Sequence, residues 1–205
     1  MKPFDLRDYR YDALIFDCDG TLANTLPVHY LTFREALAEH GLPLEPDWYG
    51  QRTGLSSGKL FDAYEAAFGV ALMREGLLAR CREIYRTHLD RLEEHGFAAG
   101  IARACRGKSP MAVASAGQGE IVRATLGRLG LVDLFDAVVT IEDVRRGKPA
   151  PDLYLLAASK LEVPPASCLV FEDSPEGLEA ARAAGMEAID VRPYTPERPL
   201  TTDDR

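Results

Sequence analysis

Four short stretches of the chain are almost continuously apolar and rich in β-branched or aromatic residues: "DALIFD" (12–17), "PMAVAS" (110–115), "FDAVVTI" (135–141) and "SCLVFED" (167–173). Such runs predict strands buried on both faces. Between and after them apolar positions recur at helical spacing, in "EIVRATLGRLGL", "PDLYLLAASKLEV" and "PEGLEAARAAGM". The last has Ser174 as an N-cap, Pro175 at the first helical position and Gly185 just past the end, which are start and stop signals in order. Strands alternating with helices predict an α/β fold, a doubly wound parallel sheet with a Rossmann-like core.

One region breaks the alternation. From Pro27 to Leu92 no strand pattern occurs, only helical spacing such as Leu60, Phe61, Tyr64, Phe68 and then Leu77, Leu78, Cys81, Ile84, Tyr85, Leu89, Leu92. A helical block between the first and second strands predicts an inserted α-helical cap. The expected division is residues 1–25 and 97–205 as the α/β catalytic core and 26–96 as the cap, with hinges near 24–27 and 93–98, where "HGFAAG" offers glycines. The stripe of Tyr64, Phe68 and Tyr85 is expected in the packed interior of that block.

Composition narrows the function. The 205 residues carry a formal charge of −8 and are 46% hydrophobic, which is ordinary for a globular protein. No run reaches the roughly 20 apolar residues of a membrane span, so neither a membrane partner nor a location other than the cytoplasm is expected. With no basic stripe, nucleic acid is not expected either. Cys18, Cys81, Cys105 and Cys168 are too scattered for a zinc site and are expected to be reduced and buried. His29, His40, His88 and His95 likewise show no ligand spacing. Nothing in the chain distinguishes a monomer from a small homo-oligomer.

In open α/β sheets ligands bind beyond the carboxyl ends of the strands. Asp17 and Asp19 lie at the first such end, Ser115 at the second, Glu172 and Asp173 at the last, and Lys148 follows the strand ending near Ile141. Two aspartates one residue apart project to the same side, with Cys18 opposite. Like charges so close are costly unless one is protonated or a cation lies between them. A hard cation such as Mg²⁺ suits Asp17, Asp173, Glu172 and a backbone carbonyl of this loop, which adds Asp19 to the metal-binding residues. With positive charge at hand, Asp17 can act as a nucleophile toward phosphorus and Asp19 as the acid and base. Ser115 with the N–H groups of Ala116 and Gly117, the Thr21 hydroxyl and Lys148 would bind the phosphate of a small phosphorylated metabolite.

"DCDGTL", "VASAG", "RGKPAPD" and "FEDSPEG" resemble, in order, the four motifs of the haloacid dehalogenase-type phosphohydrolases. The longer stretches "GKPAPDLYLLAASKL" and "CLVFEDSPEGLEAARAAGMEAIDVR" are similar to sugar-phosphate phosphatases related to β-phosphoglucomutase, fructose-1-phosphate phosphatases among them. The resemblance implies Mg²⁺, an aspartyl phosphate and a cap that closes over the substrate, with cap loop 50–59, including Gly54, as the place for substrate contacts. Where the mutase branch has a cap-loop arginine for a second phosphate, "TGLSSGKL" places Ser57, which favours hydrolysis. A β-phosphoglucomutase is the alternative, and a non-catalytic binding protein is a weaker one, since Asp17, Asp19, Lys148 and Asp173 are all present.

Overall fold

The computed structural model describes residues 4–52, 55–195 and 200. Its strands are β1 (Ala13–Phe16), β2 (Ala23–Asn24), β3 (Glu93–Glu94), β4 (Met111–Ala114), β5 (Ala137–Val139), β6 (Cys168–Glu172) and β7 (Glu187–Asp190). Its α-helices are α1 (Leu26–Ala38), α2 (Pro46–Gly50), α3 (Ser57–Phe68), α4 (Arg74–Thr87), α5 (Gly96–Cys105), α6 (Gly119–Arg128), α7 (Asp152–Lys160) and α8 (Pro175–Ala183). The chain divides into two compact units, one of Met1–Ala23 with Glu94–Pro196 and one of Asn24–Glu93 with Glu197–Arg205.

The first unit holds a five-stranded sheet in the order β5-β4-β1-β6-β7, every neighbour parallel. The chain builds outward from β1 to β4 and β5, then returns to the other side of β1 for β6 and β7. That reversal puts the topological switch point at β1, where the carboxyl ends of β1, β4 and β6 lie side by side. Alternation along β1 explains its unbroken apolar run. Leu14 and Phe16 face a core shared with Ala98, Ala99 and Ala102 of α5 and Val122 and Leu126 of α6; Ala13 and Ile15 face a second core with Leu153, Tyr154 and Ala157 of α7 and Ala180 and Ala181 of α8. Helices therefore cover both faces. Phe16 and Phe171, register partners on β1 and β6, stack at 4.8 Å between ring centres.

All four predicted strands are present; the two-residue strands β2 and β3 were not predicted, and β7 and α5 also depart from the sequence reading. β7 was not predicted: only Ile189 of its four residues is buried, as befits an edge strand, so "EAID" carries no apolar run. α5 occupies the stretch read as a glycine hinge. Its buried face is Ala98, Ala99, Ala102 and Cys105, with Phe97 and Ile101 packed against the same core, and the glycines Gly96 and Gly100 lie within the helix rather than in a hinge.

The second unit is helical, apart from its share of the short β2–β3 ladder. Tyr30, Phe33 and Leu37 of α1, Leu60, Phe61 and Tyr64 of α3, and Leu77, Cys81 and Ile84 of α4 form its core. The buried Tyr64 ring keeps its phenol satisfied through a 2.6 Å bond to the Pro43 carbonyl. Phe68 is not interior: it is 41% exposed and packs one face on Tyr64. Ser57 opens α3, behind Ser56 as N-cap, and Gly54 lies outside the described residues. Among the described residues no helix is long and apolar enough to cross a membrane.

Candidate active site

Asp17 and Ser115 each follow directly on the last residue of their strands, β1 and β4, and Glu172 is the last residue of β6. The Asp17 N–H donates to the Phe171 carbonyl at 3.0 Å and the Ser115 N–H to the Val139 carbonyl at 3.0 Å, while the Glu172 carbonyl accepts from Val191 N at 2.9 Å. After Asp17 the chain turns on Cys18, whose carbonyl accepts from both Leu22 N and Ala23 N at 3.0 Å. Cys18 is fully buried in the core, opposite the acids. Burial, and then the charges of Asp19 and Asp17, push its thiol well above the ordinary range, which leaves it inert. Gly20 has φ +84°, and a Cβ there would press into the Asp173 carboxylate, so only glycine serves this close approach.

Asp17, Glu172 and Asp173 each offer a carboxylate oxygen, and the three oxygens lie within 4.8 Å of one another. Among the described residues no other three acids, histidines or cysteines bring ligand atoms this close together. Lys148 Nζ reaches across to donate to Asp17 Oδ1 at 2.5 Å and to Glu172 Oε2 at 2.7 Å, with all three side chains at least nine-tenths buried. Glu172 is held at both oxygens. Oε2 also accepts from the Tyr154 phenol at 2.6 Å, and Oε1 from Ser174 N at 2.9 Å and Ser174 Oγ at 2.6 Å. Ser174 in turn caps α8 by accepting from Gly177 N at 3.0 Å, as its sequence position predicted.

The electrostatics follow from crowding. Burial, and then the Glu172 charge, push the Asp17 carboxyl well above the ordinary carboxylate range, against the pull of Lys148. Burial and Glu172 lift Asp173 to about 7, although the Thr21 hydroxyl opposes this by donating to its Oδ1 at 3.0 Å. Burial would raise Glu172 as well, but Lys148 and the bonds from Lys148, Ser174 and Tyr154 hold it below its ordinary value. Lys148 stays firmly charged: burial works against its ammonium, and Asp17 and Glu172 outweigh it. One lysine thus faces several carboxylates in a site that still repels an anion. Three hard oxygen donors grouped in this way suit a hard divalent cation such as Mg²⁺, which would relieve that repulsion.

Asp19 is not one of the trio. A Cβ built on Gly117 would come 3.2 Å from Asp19 Oδ2 and 3.2 Å from Ser115 Oγ, which locates the Asp19 carboxylate beside the Ser115 loop. Three details of that loop and the turn differ from the sequence reading. The Gly117 N–H donates to Ser115 Oγ at 3.0 Å, so the hydroxyl oxygen accepts and its proton is left to be donated, while Ala116 is exposed. α6 begins only at Gly119, behind the Gln118 N-cap. Thr21 is fully buried and its hydroxyl donates to Asp173 Oδ1, where the sequence reading had it facing a phosphate. Arg146 pairs with Asp152 at 2.7 Å, as a loop charge away from Lys148's partners. Tyr154 was not singled out from sequence, because an apolar helix position with an aromatic residue reads as core; its phenol gave no separate signal.

A family model described as haloacid dehalogenase-like hydrolase matches residues 11–185. The fructose-1-phosphate phosphatase YqaB of Escherichia coli (strain K12) is 38% identical over 183 residues, 89% of this chain and 97% of that protein. The β-phosphoglucomutase of Bacillus subtilis (strain 168) is 30% identical over 187 residues, covering 87% of this chain and 82% of the relative. The crystal structure of CbbY from Rhodobacter sphaeroides in complex with phosphate superposes with a TM-score of 0.77 at 27% identity, over 87% of this chain and 84% of that one.

Proposed function

Because the chain belongs to the haloacid dehalogenase-like hydrolases, we propose that it is a Mg²⁺-dependent phosphatase that hydrolyses a small sugar phosphate through an aspartyl phosphate on Asp17. The likeness to YqaB makes fructose 1-phosphate the first substrate to test. The ion pair of Lys148 with Asp17, across an otherwise acidic strand-end cluster, carries the proposal. A phosphatase needs one carboxylate against phosphorus and one cation ready to leave it for the phosphoryl oxygens, and this pair supplies both.

Asp17, Asp173, Glu172 and the Asp19 carbonyl would hold the metal. When bound, Mg²⁺ neutralises phosphoryl charge and keeps the neighbouring carboxylates ionised. The phosphoryl oxygens take hydrogen bonds from Ser115 Oγ, the Ala116 N–H, the backbone of the Thr21 turn and Lys148 Nζ. Asp17 attacks phosphorus as the bond to the sugar oxygen breaks, and Asp19 gives that oxygen its proton. In the second step Asp19 takes a proton from water, the water oxygen bonds to phosphorus, and the phosphorus–Asp17 bond breaks to regenerate the carboxylate. The helical segment 26–96 serves as the specificity-bearing cap, with loop 50–59 and Gly54 as its substrate contacts.

The test is phosphate release from a panel of sugar phosphates, with and without Mg²⁺, with Asp17→Asn as the blank. Metal-dependent release from fructose 1-phosphate or a related ester is the expected result. Conversion of β-glucose 1-phosphate to glucose 6-phosphate without free phosphate would instead make the chain a mutase, and no turnover of any ester would favour a binding role.

A further inference from the structure

Resting on the assignment of Lys148 to the phosphoryl group, we propose that Tyr154 is a positioning residue for catalysis, its phenol setting how much of the Lys148 charge is free to follow the phosphoryl oxygens. Three observations converge on it. The Tyr154 side chain lies on the buried face of α7 and is fully buried, yet its oxygen reaches the strand-end cluster and donates to Glu172 Oε2 at 2.6 Å. The same oxygen of Glu172 is the acceptor for Lys148 Nζ at 2.7 Å, so phenol and ammonium share one carboxylate oxygen. The Tyr154 ring also lies 5.0 Å from Lys148 Nζ, within cation–π distance, which backs the ammonium on a second side.

The consequence is a division of charge. A carboxylate oxygen that accepts a short phenolic hydrogen bond holds a second donor less tightly, and Ser174 already occupies the other oxygen through its N–H and Oγ. With both oxygens engaged, Glu172 can neither rotate toward Lys148 nor claim its charge fully. Removing the phenol leaves Oε2 with Lys148 as its remaining donor among the contacts described. The ammonium is then held back on Glu172 at the moment when charge grows on the transferring group.

Tyr154→Phe keeps the ring, the packing and the cation–π contact, and removes the hydrogen bond alone. A fall in kcat of roughly tenfold is expected for p-nitrophenyl phosphate, a probe that needs no sugar recognition, with KM changed less than about twofold; one hydrogen bond to a charged group is of this size. Binding of orthovanadate, which mimics the five-coordinate phosphorus, should weaken by a similar factor in calorimetry, while binding of inorganic phosphate should change little. A purely structural tyrosine would lower the melting temperature and move both ligands alike or neither; that result, or wild-type kcat in the folded variant, overturns the proposal. Lys148→Ala, measured in parallel, separates the two failures: if it too leaves orthovanadate binding unchanged, the assignment of Lys148 itself falls.

Discussion

Gly177 is the position where a single methyl group should do most damage to the site while touching no reacting atom. It lies in the first turn of α8, and a Cβ built there would fall inside the 3.0 Å that real Cβ atoms respect, against the Glu172 carboxyl carbon and both of its oxygens. A flexible surface glutamate would swing aside. Glu172 cannot, because its oxygens accept from Lys148, Tyr154 and Ser174 at 2.6–2.9 Å and the residue is 1% exposed. A retreat of about 1 Å carries such bonds beyond 3.5 Å, where they cease to count. Leaving a buried carboxylate short of its partners costs about 3–5 kcal/mol, which for a chain of this length lowers the melting temperature by roughly 10 °C. Gly177→Ala should therefore show that loss in calorimetry, together with a marked fall in kcat as Lys148 loses its anchor. Placed on a Glu172→Ala background, the same substitution should cost far less, because the clash has gone. Wild-type stability and turnover in Gly177→Ala, or full additivity in the double variant, would refute the picture of a pinned Glu172.

Three further outcomes follow from the same geometry. Asp17→Asn keeps the shape but removes the nucleophile, so turnover should vanish while circular dichroism stays that of the wild type; appreciable turnover in pure protein would exclude Asp17. Asp173 sits at about 7 without metal, above its unfolded value of 3.8; an acid raised in this way costs the folded state stability as pH climbs from the lower value through the upper. The metal-free protein should accordingly lose stability across that window and Mg²⁺ should restore it, with Mg²⁺ affinity in calorimetry falling by up to about tenfold per pH unit below 7 as a proton competes for the carboxylate. Thr21→Val deletes the hydroxyl that donates to Asp173; Mg²⁺ should bind several-fold more weakly while KM for the substrate changes less, and unchanged metal affinity would remove Thr21 from the site.

The parts of this site that were legible in the sequence were those set by strand ends. A strand buried on both faces writes an apolar run, so a polar residue terminating it stands out, and Asp17, Ser115 and the Glu172–Asp173 pair were each found in that way. The structure brings carboxylate oxygens of Asp17, Glu172 and Asp173 within 4.8 Å of one another and pairs Lys148 with Asp17 and Glu172. What could not be read was how the acids share their partners. Whether Thr21 serves a ligand or Asp173, and whether the Gly117 N–H faces outward or binds Ser115 Oγ, depends on side-chain and turn geometry that residue type does not encode. Tyr154 was hidden for a related reason: its ring obeys the helical period of α7, and only the position of β6 alongside turns its oxygen into a partner for Glu172. In the fold, β7 was missed because an edge strand with one buried residue writes no apolar run, and α5 because Gly96 and Gly100 read as a hinge although its apolar positions keep to one face.

The most direct test of the account is to acid-quench the Mg²⁺-loaded enzyme during turnover of fructose 1-phosphate and map any phosphoryl group by peptide mass spectrometry. The prediction is a hydroxylamine-labile phosphoryl group on the peptide containing Asp17, absent from Asp17→Asn. A phosphoryl group on another residue, or steady turnover with none trapped and Asp17→Asn still active, would contradict it.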